Sequence, residues 1–172
     1  MDALSSEKKM AAARGIFDRS DDLYMCMLKL IVLLSAATLL TAKDTVPQFY
    51  QESGIAVKGT DVVAYFTMGK PAPGLAQYSH QWMGATWRFA NAEHLNLFRA
   101  NPEKYSPQYG GYCAYAVSKN KTAGITPKNW KIVDGKLYLN HAFAQSPWEK
   151  NIPENIEKAN KNWPAIPKQA VK

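Results

Sequence analysis

The stretch Tyr78-Ser-His-Gln-Trp-Met-Gly-Ala-Thr-Trp-Arg-Phe89 decides the fold of this 172-residue chain. Its central Met83-Gly84 pair separates two runs rich in aromatic residues, which is typical of a β-hairpin with a two-residue turn. Alternation along the two strands collects six mostly aromatic side chains on one face: Tyr78, His80, Trp82, Ala85, Trp87 and Phe89. The turn predicts that His80 lies opposite Trp87 and Tyr78 opposite Phe89, so this face can pack on a helix.

The next segment predicts that helix. Asn91 is a good N-cap, and the apolar spacing over residues 92–99 is helical. The predicted buried stripe holds His94, Leu95 and Phe98. Asn101-Pro102 ends the helix, because the proline ring disfavours helical backbone in the preceding residue.

Three further segments complete the predicted fold. Asp61 can cap a short helix over residues 62–66, and residues 130–139 suit a second hairpin around Asp134-Gly135. Near the C terminus, apolar residues recur every three to four positions, as in a helix docked on a core: Trp148, Ile152, Ile156, Ala159 and Trp163. We therefore predict an α+β fold, a small single domain with two antiparallel β-hairpins packed against several short helices.

The N-terminal 42 residues have the layout of an export signal. Met27-Leu28-Lys29 precedes an apolar run of about a dozen residues through Leu40, and Thr41-Ala42-Lys43 offers a small residue for cleavage. This run is shorter than the roughly 20 apolar residues of a membrane-spanning helix, which favours a signal peptide over an anchor. The acidic residues before the run suit a start at Met25 or Met27, with a genuine N-terminal extension as the alternative.

These features divide the chain into four parts. Residues 1–42 are an extension with a secretory signal peptide, 43–53 a leader, 54–164 the folded domain and 165–172 a flexible tail.

The net charge of +7 falls entirely after residue 42, since residues 1–42 carry five acidic and five basic side chains. The basic residues are scattered, which argues against a nucleic-acid site. Signal cleavage would leave no membrane span and Cys113 as the lone cysteine, so no internal disulfide could form.

Five separated blocks of sequence occur in order along the predicted domain. They are Gly59-Thr-Asp-Val-Val-Ala-Tyr-Phe66, Gly84-Ala-Thr-Trp-Arg-Phe-Ala90, Phe98 with Asn101-Pro-Glu-Lys-Tyr105, Pro107-Gln-Tyr-Gly-Gly-Tyr-Cys-Ala114 and Asp134-Gly-Lys-Leu-Tyr-Leu-Asn140. Together they resemble the YHS-domain family of bacteria, and more narrowly its exported, stand-alone branch, over residues 54–164. The resemblance implies a periplasmic location.

The chain departs from the metal-linked members of that family. The Tyr-His-Ser tripeptide that names the family is absent, and Tyr78-Ser79-His80 holds the same residues in another order. Metal-linked members, which include domains of heavy-metal-transporting ATPases, carry cysteines in an Asp-Pro-Val-Cys-type segment and a Phe-Cys-x-x-x-Cys segment. This chain has Ala64, Ala90 and His94 at those three positions. Because a methyl group cannot bind a metal, the family's cysteine site cannot be intact here.

Three residues remain as candidate metal ligands: Cys113, His80 and His94. Imidazole and thiolate ligands together suit copper, zinc or iron. None of the three shows ligand spacing, so each also has a structural interpretation, with His80 on an aromatic strand face and His94 in the first turn of a helix. His141, which follows a strand, suits plain surface.

Cys113 has two interpretations as a single residue. A helix that begins near it would stabilise a reactive thiolate, whereas free cysteines are also among the most buried residues of protein cores. The preceding Gly110-Gly111 pair permits close backbone approach to a ligand or to another strand. A small ligand would fit an aromatic-lined pocket, for which the candidates are Tyr78, Trp87 and Tyr112.

The sequence contains no Gly-rich phosphate loop, no paired-carboxylate arrangement and no His-Glu-x-x-His segment, so catalysis has no support. It predicts a non-catalytic exported module that binds a metal or a small ligand. The alternatives are a ligand-free interaction or accessory domain and, less favoured, a thiol-dependent enzyme.

Overall fold

A computed structural model describes residues 46–168, which form a mixed arrangement of short helices and small sheets. The strands are β1 (Gln51–Glu52), β2 (Ile55–Ala56), β3 (Thr60–Asp61), β4 (Ala72–Pro73), β5 (Leu75–Trp82), β6 (Ala85–Phe89), β7 (Trp130–Val133) and β8 (Lys136–Leu139). The α-helices are α1 (Ala64–Thr67), α2 (Ala92–Ala100), α3 (Pro102–Tyr105), α4 (Ala114–Ser118), α5 (Gln145–Glu149) and α6 (Ile152–Asn162). The predicted α+β class with antiparallel hairpins is confirmed.

The first hairpin, β5–β6, turns at Met83-Gly84, where both residues have positive φ, as a two-residue hairpin turn requires. His80 lies opposite Trp87, as predicted. The predicted pairing of Tyr78 with Phe89 is wrong, because a bulge shifts the register and places Leu75 opposite Phe89. Extra residues in one strand of a ladder bend that strand, so β5 follows the turn-defined register only as far as Ser79.

The sheet grows beyond this hairpin to a four-stranded order of β1-β2-β6-β5. Strand β2 runs parallel to β6 through the Ile55–Thr86 pair, and β3–β4 and β7–β8 form separate two-stranded sheets. The second predicted hairpin is confirmed as β7–β8, with Asp134 and Gly135 both at positive φ.

The domain is longer at both ends than the predicted range of residues 54–164. Phe49, in the predicted leader, is 7% exposed and its ring centroid lies 5.1 Å from those of both Trp82 and Trp87. Val46 forms a parallel bridge with Lys168. The segment before β1 is therefore part of the core.

Two clusters of buried residues form the core. The first joins the inner face of β6 to α2 through Trp87, Phe89 and Phe98. The second joins β8 to the C-terminal helices through Tyr138, Trp148 and Ala159, with Trp148 fully buried, as the helical spacing of the tail predicts.

Among residues 46–168, no helix has the length and apolar character needed to cross a membrane. The predicted signal peptide, its alternative starts and the end of the predicted tail lie outside the described residues.

Candidate functional site

Asp61 ends strand β3, and its carboxylate is fully buried just ahead of α1. One oxygen, Oδ1, accepts hydrogen bonds from the amides of Val63, at 2.9 Å, and Ala64, at 3.3 Å. The other, Oδ2, accepts from the amide of Ala90, which follows β6, at 2.8 Å. The predicted capping role is confirmed, and the same carboxylate also fastens the end of β6.

His94 meets Asp61 from the first turn of α2, where Asn91 caps the helix by accepting from the His94 amide at 2.8 Å. The imidazole Nδ1 lies 2.6 Å from Asp61 Oδ2, and the two side chains are 7% and 0% exposed. The other ring nitrogen, Nε2, lies 3.0 Å from the Thr67 hydroxyl at the end of α1. Both ring nitrogens therefore have protein partners.

Ala64, Ala90 and His94 all contact this one carboxylate. Ala64 and Ala90 reach it through their backbone amides, and His94 reaches it through its side chain. Sequence reasoning identified Asp61 as a helix cap but missed it as the partner of His94. No sequence pattern pointed to Thr67 as a partner of His94, because the two residues are 27 positions apart and no local motif relates them.

Cys113 is buried at 1% exposure, immediately before α4. Its sulfur accepts from the backbone amide of His141 at 3.4 Å and lies 3.7 Å from Asn140 Oδ1, an oxygen that also accepts from the Tyr115 amide at 3.0 Å. The close approach that Gly110 permits is to backbone, because a Cβ added there would lie 2.2 Å from the Gln48 carbonyl oxygen.

His80 is half-buried on the inner face of β5, with its ring centroid 6.4 Å from that of Phe98. Burial, and then the positive charge of Arg99, lower the pKa of His80. The candidate ligands His80, His94 and Cys113 thus have separate sets of partners. Within residues 46–168, no three His, Cys, Asp or Glu side chains come together in a group able to hold a metal ion.

The candidate pocket residues lie in different places. Trp87 is buried in the first cluster and Tyr78 packs on its margin, whereas Tyr112 belongs to the second cluster and donates its hydroxyl proton to the Pro47 carbonyl at 3.0 Å. A shallow cleft of about 560 Å³ has other lining residues, including Lys58, Thr60, Pro73, Thr126 and Lys128.

His141 lies at the surface beside the exposed aromatic ring of Phe143. Its Nδ1 accepts from the Phe143 amide at 3.4 Å, and the two rings lie 5.4 Å apart. The Phe143 side chain is 87% exposed, which makes it the most exposed of the large apolar side chains in the described part of the chain.

Comparison of the chain with protein-family models, with curated proteins and with solved structures gives no significant match. The function must therefore be inferred from the buried Asp61–His94 cluster, the environment of Cys113 and the surface around Phe143.

Proposed function

We propose that this chain is an exported accessory domain of YHS type, in which a buried hydrogen-bonded cluster takes the place of the family's metal. One observation carries the proposal. At the point where the family's cysteine positions meet, Asp61 and His94 are already hydrogen-bonded to each other. Asp61 also accepts from the Ala90 amide, and His94 also contacts the Thr67 hydroxyl.

This arrangement disfavours a metal because a ligand must offer a free lone pair. An imidazole binds a metal through an unprotonated ring nitrogen. Here Nδ1 is engaged by Asp61 and Nε2 by Thr67, so metal binding at Nε2 would break the hydrogen bond to Thr67.

The environment of Cys113 disfavours a thiol-dependent enzyme. A reactive thiolate needs exposure and a nearby base or positive charge. Cys113 is buried, and its partners are a backbone amide and the side-chain amide of Asn140. Its role is to join the segment before α4 to the segment after β8.

As an accessory domain the protein would contact its partner through surface groups, and Phe143 is the candidate anchor. Aromatic side chains are enriched at the energetic centres of protein interfaces. A photo-crosslinking amino acid at Phe143 is expected to give a discrete protein adduct in the native compartment, whereas one at the exposed Asn96 is not. Equal labelling at both positions would remove Phe143 from the proposal.

The central test is elemental analysis of the protein purified from its native compartment. We expect no stoichiometric copper, zinc or iron. Titration of the wild type, Cys113→Ser and His94→Ala with micromolar copper or zinc should give the same weak binding in all three. Stoichiometric metal that is lost in either variant would instead support the metal-binding module that the sequence predicts.

Export is tested separately by cell fractionation and N-terminal sequencing. We expect a mature N terminus near Lys43 in the periplasmic fraction, as the apolar segment before it indicates. Uncleaved protein in the cytosol would contradict export without affecting the case against a metal.

A further inference from the structure

The cluster that buries Asp61 and His94 ends at the protein surface. Thr67, whose hydroxyl lies 3.0 Å from His94 Nε2, is exposed, and so are the three residues that follow it. A carboxylate, an imidazole and a hydroxyl therefore stand in line from the interior to the solvent. This is the order of groups that activates the nucleophile of a serine hydrolase.

The hydrogen bonds set the proton positions that activation needs. Because Asp61 Oδ2 accepts from Nδ1, a neutral His94 carries its proton there and keeps the lone pair of Nε2. The Thr67 hydroxyl has one hydrogen and two acceptors within reach, Nε2 at 3.0 Å and the Val63 carbonyl at 3.2 Å. When the hydroxyl donates its hydrogen to Nε2, that nitrogen is placed to take the proton.

We propose that Thr67 is an activated hydroxyl that accepts an acyl group from an activated carboxylic ester, an activity beyond the accessory role proposed above. Thr67 Oγ1 attacks the ester carbonyl carbon, and the bond from that carbon to the leaving oxygen breaks. The hydroxyl proton passes to His94 Nε2 and then to the leaving oxygen. The products are O-acyl-threonine and the free alcohol, with no change of oxidation state.

The surroundings of His94 suit this step. Transient protonation of the imidazole is stabilised by the Asp61 carboxylate, which three backbone amides hold in place. Asp61 is a positioning residue here, and His94 acts as the general base that touches the reacting oxygen. General base catalysis typically contributes a factor of about 100 to 10,000.

The test exposes the purified protein to 4-nitrophenyl acetate and maps acetylated peptides by mass spectrometry over time. Ser79 is the internal reference, because it is exposed and its primary hydroxyl is less hindered than that of threonine. We expect Thr67 to be acetylated at least about 100-fold faster than Ser79. Equal rates at the two hydroxyls would overturn the proposal, and this comparison requires no variant.

Two variants sharpen the result. Thr67→Ser should still be acetylated at residue 67, since it keeps the hydroxyl. His94→Gln, where it remains folded by circular dichroism, should lower acetylation at Thr67 to the rate of Ser79. Fast acetylation of Thr67 in a folded His94→Gln protein would show that the imidazole has no part in the reaction, and would also overturn the proposal.

Discussion

At the scale of single residues, Asp61 decides how the first half of the domain is held together. Its carboxylate caps α1, fastens the end of β6 at Ala90 and pairs with His94 at the start of α2. Three elements thus depend on one side chain that is fully buried. Such a group is stable in the interior only while its partners remain, because an unpaired buried charge loses its hydration without compensation.

Replacing the imidazole tests that dependence. His94→Ala should lower the free energy of unfolding by about 1–3 kcal/mol, since it leaves the buried Asp61 carboxylate without one of its hydrogen-bond partners. The measurement is urea unfolding at neutral pH. Asn96→Ala, an exposed position on the same helix, is the matched control and should change the stability by less than about 0.5 kcal/mol. A loss equal to that of the control would mean that the pair contributes no net stability.

Cys113 gives a second residue-scale prediction. Its burial predicts that a thiol-specific reagent modifies Cys113 in the native protein only as fast as the domain unfolds, and modifies it at once in the unfolded protein. The measurement is the alkylation rate at neutral pH in increasing urea. Rapid, stoichiometric modification without denaturant would support the thiol-dependent enzyme instead.

At the scale of elements, the turn before Tyr112 joins the N-terminal segment to the core. Tyr109 and Gly110 both have positive φ, and the Gly110 carbonyl accepts from the Tyr50 amide at 2.7 Å. The backbone of Gln48 fills the space in which a side chain at residue 110 would lie. The absence of a side chain at Gly110 therefore allows two backbone segments to pack closely together.

Two alanine substitutions separate packing from backbone preference. Gly110→Ala and Gly135→Ala both place alanine at positive φ, but only the first meets an atom within 4 Å of the new Cβ. The left-handed conformation costs about 1–2 kcal/mol at either position. The clash at residue 110 should add about 1–3 kcal/mol, measured as the difference between the two urea-unfolding free energies. Equal losses of unfolding free energy in the two variants would show that the Gln48 segment moves aside at little energetic cost.

At the scale of the whole molecule, both core clusters contain buried tyrosines. Burial raises the pKa of Tyr65, Tyr109 and Tyr138, and it raises the pKa of Tyr112 to about 12. Several of these hydroxyls are also fixed by main-chain carbonyls, such as the bond from Tyr65 to Pro127 at 2.9 Å. Ionising them in the folded state is therefore less favourable than in the unfolded chain.

The raised pKa values predict the response of stability to alkali. A phenol whose pKa is higher in the folded state contributes stability below its unfolded pKa, near 10, and loses that contribution as pH rises toward the folded value. We expect constant stability up to about pH 10 and a steep decline above it, with tyrosinate absorbance and loss of circular dichroism appearing together.

The control is Tyr112→Phe, which removes one titrating group and should make that decline shallower. Tyrosinate absorbance that develops well before the circular dichroism changes would show that these hydroxyls ionise in the folded protein, against the prediction.

The sequence by itself determined the elements whose signals are local. The turn residues of both hairpins, the capping roles of Asn91 and Asp61 and the apolar spacing of α6 each depend on residues within a few positions of one another. The fold class followed from these elements. The alanines at positions 64 and 90 and the imidazole at position 94 also exclude a cysteine-based metal site there.

Only the tertiary structure decided what those positions do. Asp61 and His94 are 33 residues apart, Phe49 enters the core from a segment without periodic pattern, and the bulge in β5 changes a register that the turn alone predicts. The same holds for Cys113, whose partners come from the segment after β8. Local sequence records backbone preference and the periodicity of burial, whereas the pairing of distant polar groups is selected when the core closes and each buried group must find a partner.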